Sequence, residues 1–314
     1  MNIRRGLLIH PDELSEKWTD RVCSSKLSFF GLHPVGGGKA NESMASLIGD
    51  LDVINPRLER IVKSGVAVEH EMHALRWMLP ADMFDKHPDW YRMDENGVRV
   101  SDYNLCPSNK DALDYISERA AVAASLLPSS SHRYHFWIDD VWKAHCSCPE
   151  CKRYTNSDQA MIIYNAIVNG LRRTDPEAKQ CYLSYHSTLE APKTVEPADG
   201  IYLEFAPMVR DFDIPIGDPS SEKNAAQICV LDDLFAYFGK ADSTACEYWL
   251  DNSRYSKYTK PPVAFPYNSE VTRADLEFYE AKGFEYATTF ACYLGPDYEE
   301  HNGEPPVDEY LNMN

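Results

Sequence analysis

Residues 132–185 read HRYHFWIDDVWKAHCSCPECKRYTNSDQAMIIYNAIVNGLRRTDPEAKQCYLSY. An aromatic-rich run, His132 to Ile138, ends on Asp139 and Asp140. A helical pattern follows over Asp158 to Arg173, with Met161, Ile162, Ala166, Ile167 and Leu171 near the 3.6-residue period. A second strand-like run, Cys181 to Tyr185, comes next. Strand, helix, strand is the unit of a parallel sheet, because parallel neighbours need a crossover. The carboxylates stand where the first strand ends, the position at which barrels of such units carry their chemistry.

Working outward, the same alternation recurs. Strands are predicted at Gly6 to His10, Leu27 to Leu32 and Val66 to Glu69 before this stretch. After it they are predicted at Ile201 to Phe205, Thr244 to Leu250 and Phe284 to Tyr293. Helices fall between them: Ser15 to Ser24 with Ser15 as cap, a segment from the Gly36-Gly37-Gly38 loop to Lys63 stopped by Gly65, Glu222 to Phe238, and Val271 to Lys282 ending at Gly283. Eight strands with mostly intervening helices predict a (β/α)8 TIM barrel, a single domain over residues 1–314. An open doubly wound sheet is the alternative, disfavoured because no Gly-rich dinucleotide fingerprint is present. Two departures stand out. The fifth and sixth strands lie too close for a full helix between them. The third connection is far longer than ordinary loops, so it is expected to carry elements of its own.

Composition narrows the function. The net charge of −18 argues against nucleic acid or an anionic membrane surface as partner. No apolar run reaches the ~18 residues of a membrane span, and the start has too short an apolar stretch for a signal-peptide core. Nine cysteines without a leader point to a reducing, cytoplasmic setting in which they serve as thiols or metal ligands. A homo-oligomer is compatible with all of this.

Cys146-Ser147-Cys148-Pro149-Glu150-Cys151 is a C-x-C-x-x-C motif. Closely spaced thiolates on a turn can supply three of zinc's four tetrahedral ligands. Cys106, on the long third connection, is the expected fourth, with His145 able to replace one thiol. Four thiolates would close the sphere and make the zinc structural. Three ordinary thiols near the surface is the competing reading. A lone Cys on the third connection with C-x-C-x-x-C after strand four resembles the zinc cluster of family 42 β-galactosidases, a resemblance confined to the cluster.

Candidate site residues collect at strand ends: Glu71 and His73 after strand three, Asp139 and Asp140 after strand four, Tyr185 and His186 after strand five, Glu204 on strand six, and Glu247 and Asp251 at strand seven. Adjacent carboxylates flanked by Trp137 and Trp142 suit sugar chemistry, one acid protonating a leaving oxygen while a neighbour orients or stabilises. A cap or a pairing with Lys143 would explain Asp139 and Asp140 equally simply. Period two puts Glu247, Trp249 and Asp251 on one face. A buried Glu on such a strand serves catalysis or pairs with an arginine. Glu69-His70-Glu71-Met72-His73 is not H-E-x-x-H and lies on a strand, which disfavours a catalytic metal there. Trp137, Trp249 and their neighbours could form apolar platforms for sugar faces or simply pack.

Leu79-Pro80, Phe84, His87-Pro88-Asp89-Trp90-Tyr91, Asp94-Glu95-Asn96-Gly97, Asn104-Leu105-Cys106 and Ser108-Asn109 form one series of motifs. Asp139-Asp140, the cysteine run, Glu204-Phe205-Ala206-Pro207 with Arg210, and Glu247-Tyr248-Trp249-Leu250-Asp251-Asn252-Ser253 continue it. Together these resemble the bacterial domain of unknown function 4838. Some members of that family are classed as glycoside hydrolase family 163, endo-β-N-acetylglucosaminidases acting on N-glycans. The resemblance implies a glycosidase-like barrel with a carbohydrate substrate, and a substrate-assisted retaining mechanism in which the acetamido oxygen attacks C1. Asp139 would then orient the acetamide and Asp140 would be the acid/base. Sites of this type usually carry Asp-Glu, so Glu247 and Glu204 stand as alternative acids. Glu71, His73, Trp137, Tyr185, His186, Glu204 and Trp249 would line the substrate. A glycan-binding barrel without activity, and a metal-dependent isomerase or hydrolase built on Glu71, His73, His186 and Glu204, are the competing functions. The absence of an evident leader suggests action on imported oligosaccharides.

Overall fold

Eight parallel strands close into a barrel in chain order: β1 (Arg4–Ile9), β2 (Phe29–Leu32), β3 (Ala67–Met72), β4 (Arg133–Phe136), β5 (Lys179–Ser184), β6 (Ile201–Phe205), β7 (Thr244–Glu247) and β8 (Tyr286–Thr289). Closure is made by Arg4 and Arg5 of β1 pairing with Tyr286 and Ala287 of β8. This is a (β/α)8 barrel, seen in a computed structural model that describes residues 2–143 and 145–313.

The helices form where their caps and apolar stripes dictate. Ser15 accepts from the Trp18 amide and opens Glu16–Cys23, which buries Trp18, Thr19 and Val22. Asn109 caps Lys110–Leu126, and Thr155 with Asp158 forms a capping box at Asn156–Leu171. These two helices pack closely at Gly170, where a Cβ would lie 2.0 Å from the Ser117 carbonyl oxygen. Two segments expected as single helices are each divided. The chain forms Ala40–Gly49 then Leu51–Lys63, and Glu222–Ile228 then Leu231–Phe238. The first break falls at Gly49-Asp50, residues of poor helix propensity. Between β5 and β6 there is only a 3-10 turn, His186–Thr188, as the short spacing required. The long third connection carries Lys110–Leu126 and two small antiparallel bridges, Tyr91 with Leu105 and Met93 with Arg99.

The barrel interior is layered. At its base the Arg133 guanidinium lies 3.6 Å from the centroid of the Tyr286 ring and 4.9 Å from that of Tyr202. Above it sit Glu69, Glu71, His135 and Glu204, none more than 1% exposed. His135 bridges Glu69 and Glu204 at 3.0 Å each. Trp137 closes this charged layer from above, its indole N–H donating to Glu204 at 2.7 Å. The open cleft begins over Trp137.

Candidate active site

The cleft at the C-terminal ends of the strands has a volume of about 490 Å³. Trp137, Leu183, Cys246 and Phe290 are among the apolar residues of its lining. Its carboxylates are Asp140, after β4, and Asp251, after β7. Tyr185 donates its hydroxyl to Asp140 Oδ1 at 3.0 Å, with Met208 Sδ as an alternative acceptor at 2.9 Å. Burial and the Asp140 charge push the Tyr185 phenol well above its ordinary range, so it stays a donor. His186 packs at a tilt against Tyr185, ring centroids 3.7 Å apart, and exposed Trp142 covers His186 at 3.9 Å. Desolvation lowers the His186 pKa to about 4, so this ladder of rings is uncharged at neutral pH. Gly36 comes so close that a Cβ there would lie 2.8 Å from His73 Cδ2 and 3.6 Å from Asp140 Oδ2.

Three histidines line the cleft, and of these only His73 was expected from the sequence. His10, His33 and His73 follow β1, β2 and β3 in turn. Each holds a backbone carbonyl with Nδ1: His10 that of His33 at 2.7 Å, His33 that of Glu71 at 2.8 Å, and His73 that of Ile138 at 2.6 Å. A carbonyl only accepts, so Nδ1 carries the proton and Nε2 is left for a ligand. Burial holds the His33 pKa well below its usual value, with His10 and His73 adding to the effect. The signal was present in the sequence as a histidine ending each of three successive strands.

Of the residues expected in the site, Asp140, His73, Trp137 and Tyr185 line the cleft together. His186 joins them through its ring contact with Tyr185. Asp139 does not line it. Its Oδ2 accepts the Asn104 amide at 2.6 Å, and its own amide donates to Asn104 Oδ1 at 2.9 Å. This reciprocal pair makes Asp139 a clamp between β4 and the third connection. Burial raises its pKa against the pull of that amide. Glu71 and Glu204 lie beneath Trp137 in the charged layer, 0% exposed. Glu247 is also 0% exposed. It accepts from Arg210 at 2.5 Å and Tyr279 at 2.6 Å, with Asp275 sharing the same guanidinium at 2.8 Å. Trp249 donates to Asp275 at 2.8 Å and lines a neighbouring side pocket of about 330 Å³ instead. Period two fails here because β7 ends at Glu247 and the following residues turn. Asp251 instead caps the next turn, its Oδ1 accepting the Ser253 amide at 3.1 Å and hydroxyl at 2.6 Å. No metal-compatible group among the described residues includes His73 or His186, so the four residues of the metal-dependent reading are not brought together.

Cys106, Cys146, Cys148 and Cys151 do converge, all buried and with sulfurs within 4.8 Å of one another. Zn–S bonds of about 2.3 Å in a tetrahedron place sulfurs about 3.8 Å apart. Cys106 Sγ lies 3.8 Å from both Cys148 Sγ and Cys151 Sγ. The surroundings suit thiolates: the Met93 amide donates to Cys146 at 3.3 Å, Arg99 at 3.8 Å, and Ser108 meets Cys151 at 3.0 Å. Gln159 then holds the backbone, its amide bonding the carbonyls of Cys146 and Cys151. The donor set and spacing fit a structural zinc, which would cross-link the third connection to the segment after β4.

A family model described as a domain of unknown function, DUF4838, matches residues 53–232, more than half of the chain. This chain belongs to the DUF4838 family. No curated protein matches it in sequence. Solved structures share the fold of the DUF4838 barrel. The exo-β-1,4-mannosidase Op5Man5 from Opitutaceae bacterium strain TAV5 superposes with a TM-score of 0.52 at 12% identity over 98% of this chain and 58% of its own. PbGH5A, a glycoside hydrolase family 5 enzyme from Prevotella bryantii B14, gives 0.52 at 9% identity over 99% of this chain and 94% of its own. Endo-glycoceramidase II from Rhodococcus sp. gives 0.51 at 9% identity over 92% and 72%. At these identities the likeness is one of fold: a barrel of the kind glycoside hydrolases use. The DUF4838 chain spans 58% of the mannosidase's length. Among its described residues no helix is long and apolar enough to cross a membrane.

Proposed function

We propose that this DUF4838 barrel hydrolyses a glycosidic bond, with Asp140 delivering the proton to the leaving oxygen. The observation that carries the reading is Asp140 itself, held by Tyr185 in an aromatic cleft at the C-terminal barrel face. The face of a sugar ring suits Trp137 and the Trp142–His186–Tyr185 ladder. Histidine Nε2 atoms at three strand ends accept from ring hydroxyls. Asp251 is the second cleft carboxylate and takes the role expected of Asp139 or Glu247, stabilising positive charge at C1 or forming the glycosyl ester. The family resemblance favours an N-acetylhexosamine-containing oligosaccharide, for which the substrate's own acetamide could replace Asp251 as the attacking group. The four-cysteine cluster holds structural zinc in this reading, and thiolates kept reduced for zinc fit a cytoplasmic setting.

Aryl glycosides of neutral hexoses and N-acetylhexosamines, assayed with and without added divalent metal, test the proposal. Asp140→Asn should lower turnover by about 10²-fold or more with sugar binding largely kept. Loss of turnover in Asp251→Asn marks a two-carboxylate mechanism. Turnover confined to N-acetylhexosaminides and retained in Asp251→Asn marks substrate assistance. Full activity in Asp140→Asn would remove Asp140 from the chemistry, and binding without turnover of any sugar would make the barrel a glycan-binding protein.

A further inference from the structure

Resting on that reading of the cleft, we infer that Arg254 selects a sugar carrying an anionic group, a carboxylate or a sulfate. Arg254 follows β7 in the short turn Asn252–Tyr255. It stands in the lining of both the main cleft and the side pocket that contains Trp249, so it sits where the two cavities meet. Its guanidinium packs on two rings, 4.6 Å from the centroid of Phe212 and 5.1 Å from that of Tyr248. Tyr248 is in turn stacked on Phe290, centroids 5.0 Å apart and planes 20° from parallel. The stack uses the faces of the guanidinium and leaves its N–H edge. Among the described residues that edge has no hydrogen bond and no carboxylate within ion-pair distance.

This is unlike Arg210, whose guanidinium is committed to Glu247 and Asp275. A rigid, half-buried fork with free donors suits bidentate recognition of a planar carboxylate or of two sulfate oxygens. No nearby acid hydrogen-bonds it, although Asp251 lies close enough to feel its charge. Asp251 turns Oδ1 to Ser253, and Asp140 is held by Tyr185. The charge balance points the same way. The chain has 49 acidic against 31 basic residues, yet the cleft is lined by Arg254 and Lys39 against Asp140 and Asp251. A half-buried arginine whose donors no side chain takes up offers an anion a local partner in a protein whose overall field repels anions.

The test is binding to the full chain of methyl 1-thio-β-glycosides, which resist hydrolysis, titrated by NMR. The neutral probes are glucose and N-acetylglucosamine. The anionic ones are glucuronic acid and the 6-sulfates of both neutral sugars. At least one anionic probe should bind about tenfold or more tighter than its neutral counterpart, the size of a hydrogen bond to a charged group. The arm that shows the gain identifies carboxylate or sulfate. Arg254→Gln should erase the preference, and Arg254→Lys, which keeps the charge but not the fork, should keep only part of it. Equal binding of every neutral and anionic pair, or a preference that survives Arg254→Gln with the fold intact by circular dichroism, would overturn the inference. Hydrolysis of neutral aryl glycosides without anionic preference sinks this inference and spares the glycosidase reading. Anionic preference without any hydrolysis does the reverse.

Discussion

Glu71 and Glu204 occupy the same buried layer, yet replacement by glutamine should cost far less at one than at the other. Glu204 accepts from His135 at 3.0 Å and from the Trp137 indole at 2.7 Å. Neither oxygen of Glu71 has a hydrogen-bond partner. Burial first, then the Glu204 and Glu69 charges, push the Glu71 carboxyl well above its ordinary range, against the pull of His135. Two carboxylates this close cannot both ionise in a dry layer, and the proton settles on the one without donors. Glu71→Gln therefore exchanges one neutral group for another of the same shape and should cost within about 1 kcal/mol. Glu204→Gln removes the charge facing His135 and turns an N–H toward one of two donors. Breaking a buried pair costs about 3–5 kcal/mol, and each charged hydrogen bond lost is about 1.5–3 kcal/mol, so about 3 kcal/mol or more is expected.

Urea unfolding followed by tryptophan fluorescence at pH 7 compares the two variants. A second readout comes from pH. A carboxyl whose folded pKa is raised adds stability that is full below its unfolded value and is lost as pH rises through the folded value. Wild type should thus lose stability on the alkaline side, and Glu71→Gln should lose less. A Glu71→Gln cost equal to that of Glu204→Gln, with an unchanged alkaline slope, would show that Glu71 is ionised and that the reasoning is wrong.

Elemental analysis of protein purified without chelator should find close to one zinc per chain, and Cys148→Ser should lose the metal and several kcal/mol of stability; protein without any metal would refute the site. Thermal stability should peak on the acid side of neutrality. Glu13, raised to about 8 by burial, and Glu247, raised to about 7 by burial despite Arg210, lose their contribution as pH climbs through those values. Glu69 and Asp158, held down at about 2, lose theirs as pH falls below about 4. A melting temperature that rises steadily from pH 5 to pH 9 would contradict the assignment.

The barrel was legible because each strand is a short run with its own stop signal, and period and punctuation are local. The charged residues were legible by type and not by depth. Alternation tells that Glu71 and Glu204 point inward, but whether they lie above or below the closing tryptophan depends on the stagger of β3, β4 and β6, which only closure fixes. Glu247 looked like a catalytic acid because its partners, Arg210 and Tyr279, come from other elements. Asp251 is expected at the end of the seventh strand and does line the cleft, but the strand stops at Glu247, so the face it was expected to share with Glu247 and Trp249 is lost. The cysteine cluster could be expected because three of its members are neighbours in the chain, and the fourth lies on the one connection too long to be a plain loop.

The cysteine cluster and Asp140 are joined by more than proximity in sequence. Cys106 lies two residues after Asn104, whose side chain and amide both engage Asp139. Asp139 is bonded directly to Asp140. Gln159, from the helix that follows β4, bonds the backbone at Cys146 and Cys151 on the other side. A metal drawing the four sulfurs together would therefore fix both ends of the segment that carries Asp140. Asp139 then serves best as it stands, a buried carboxylate used to hold its neighbour in place, and the adjacent-carboxylate motif resolves into one residue that positions and one that faces the cleft.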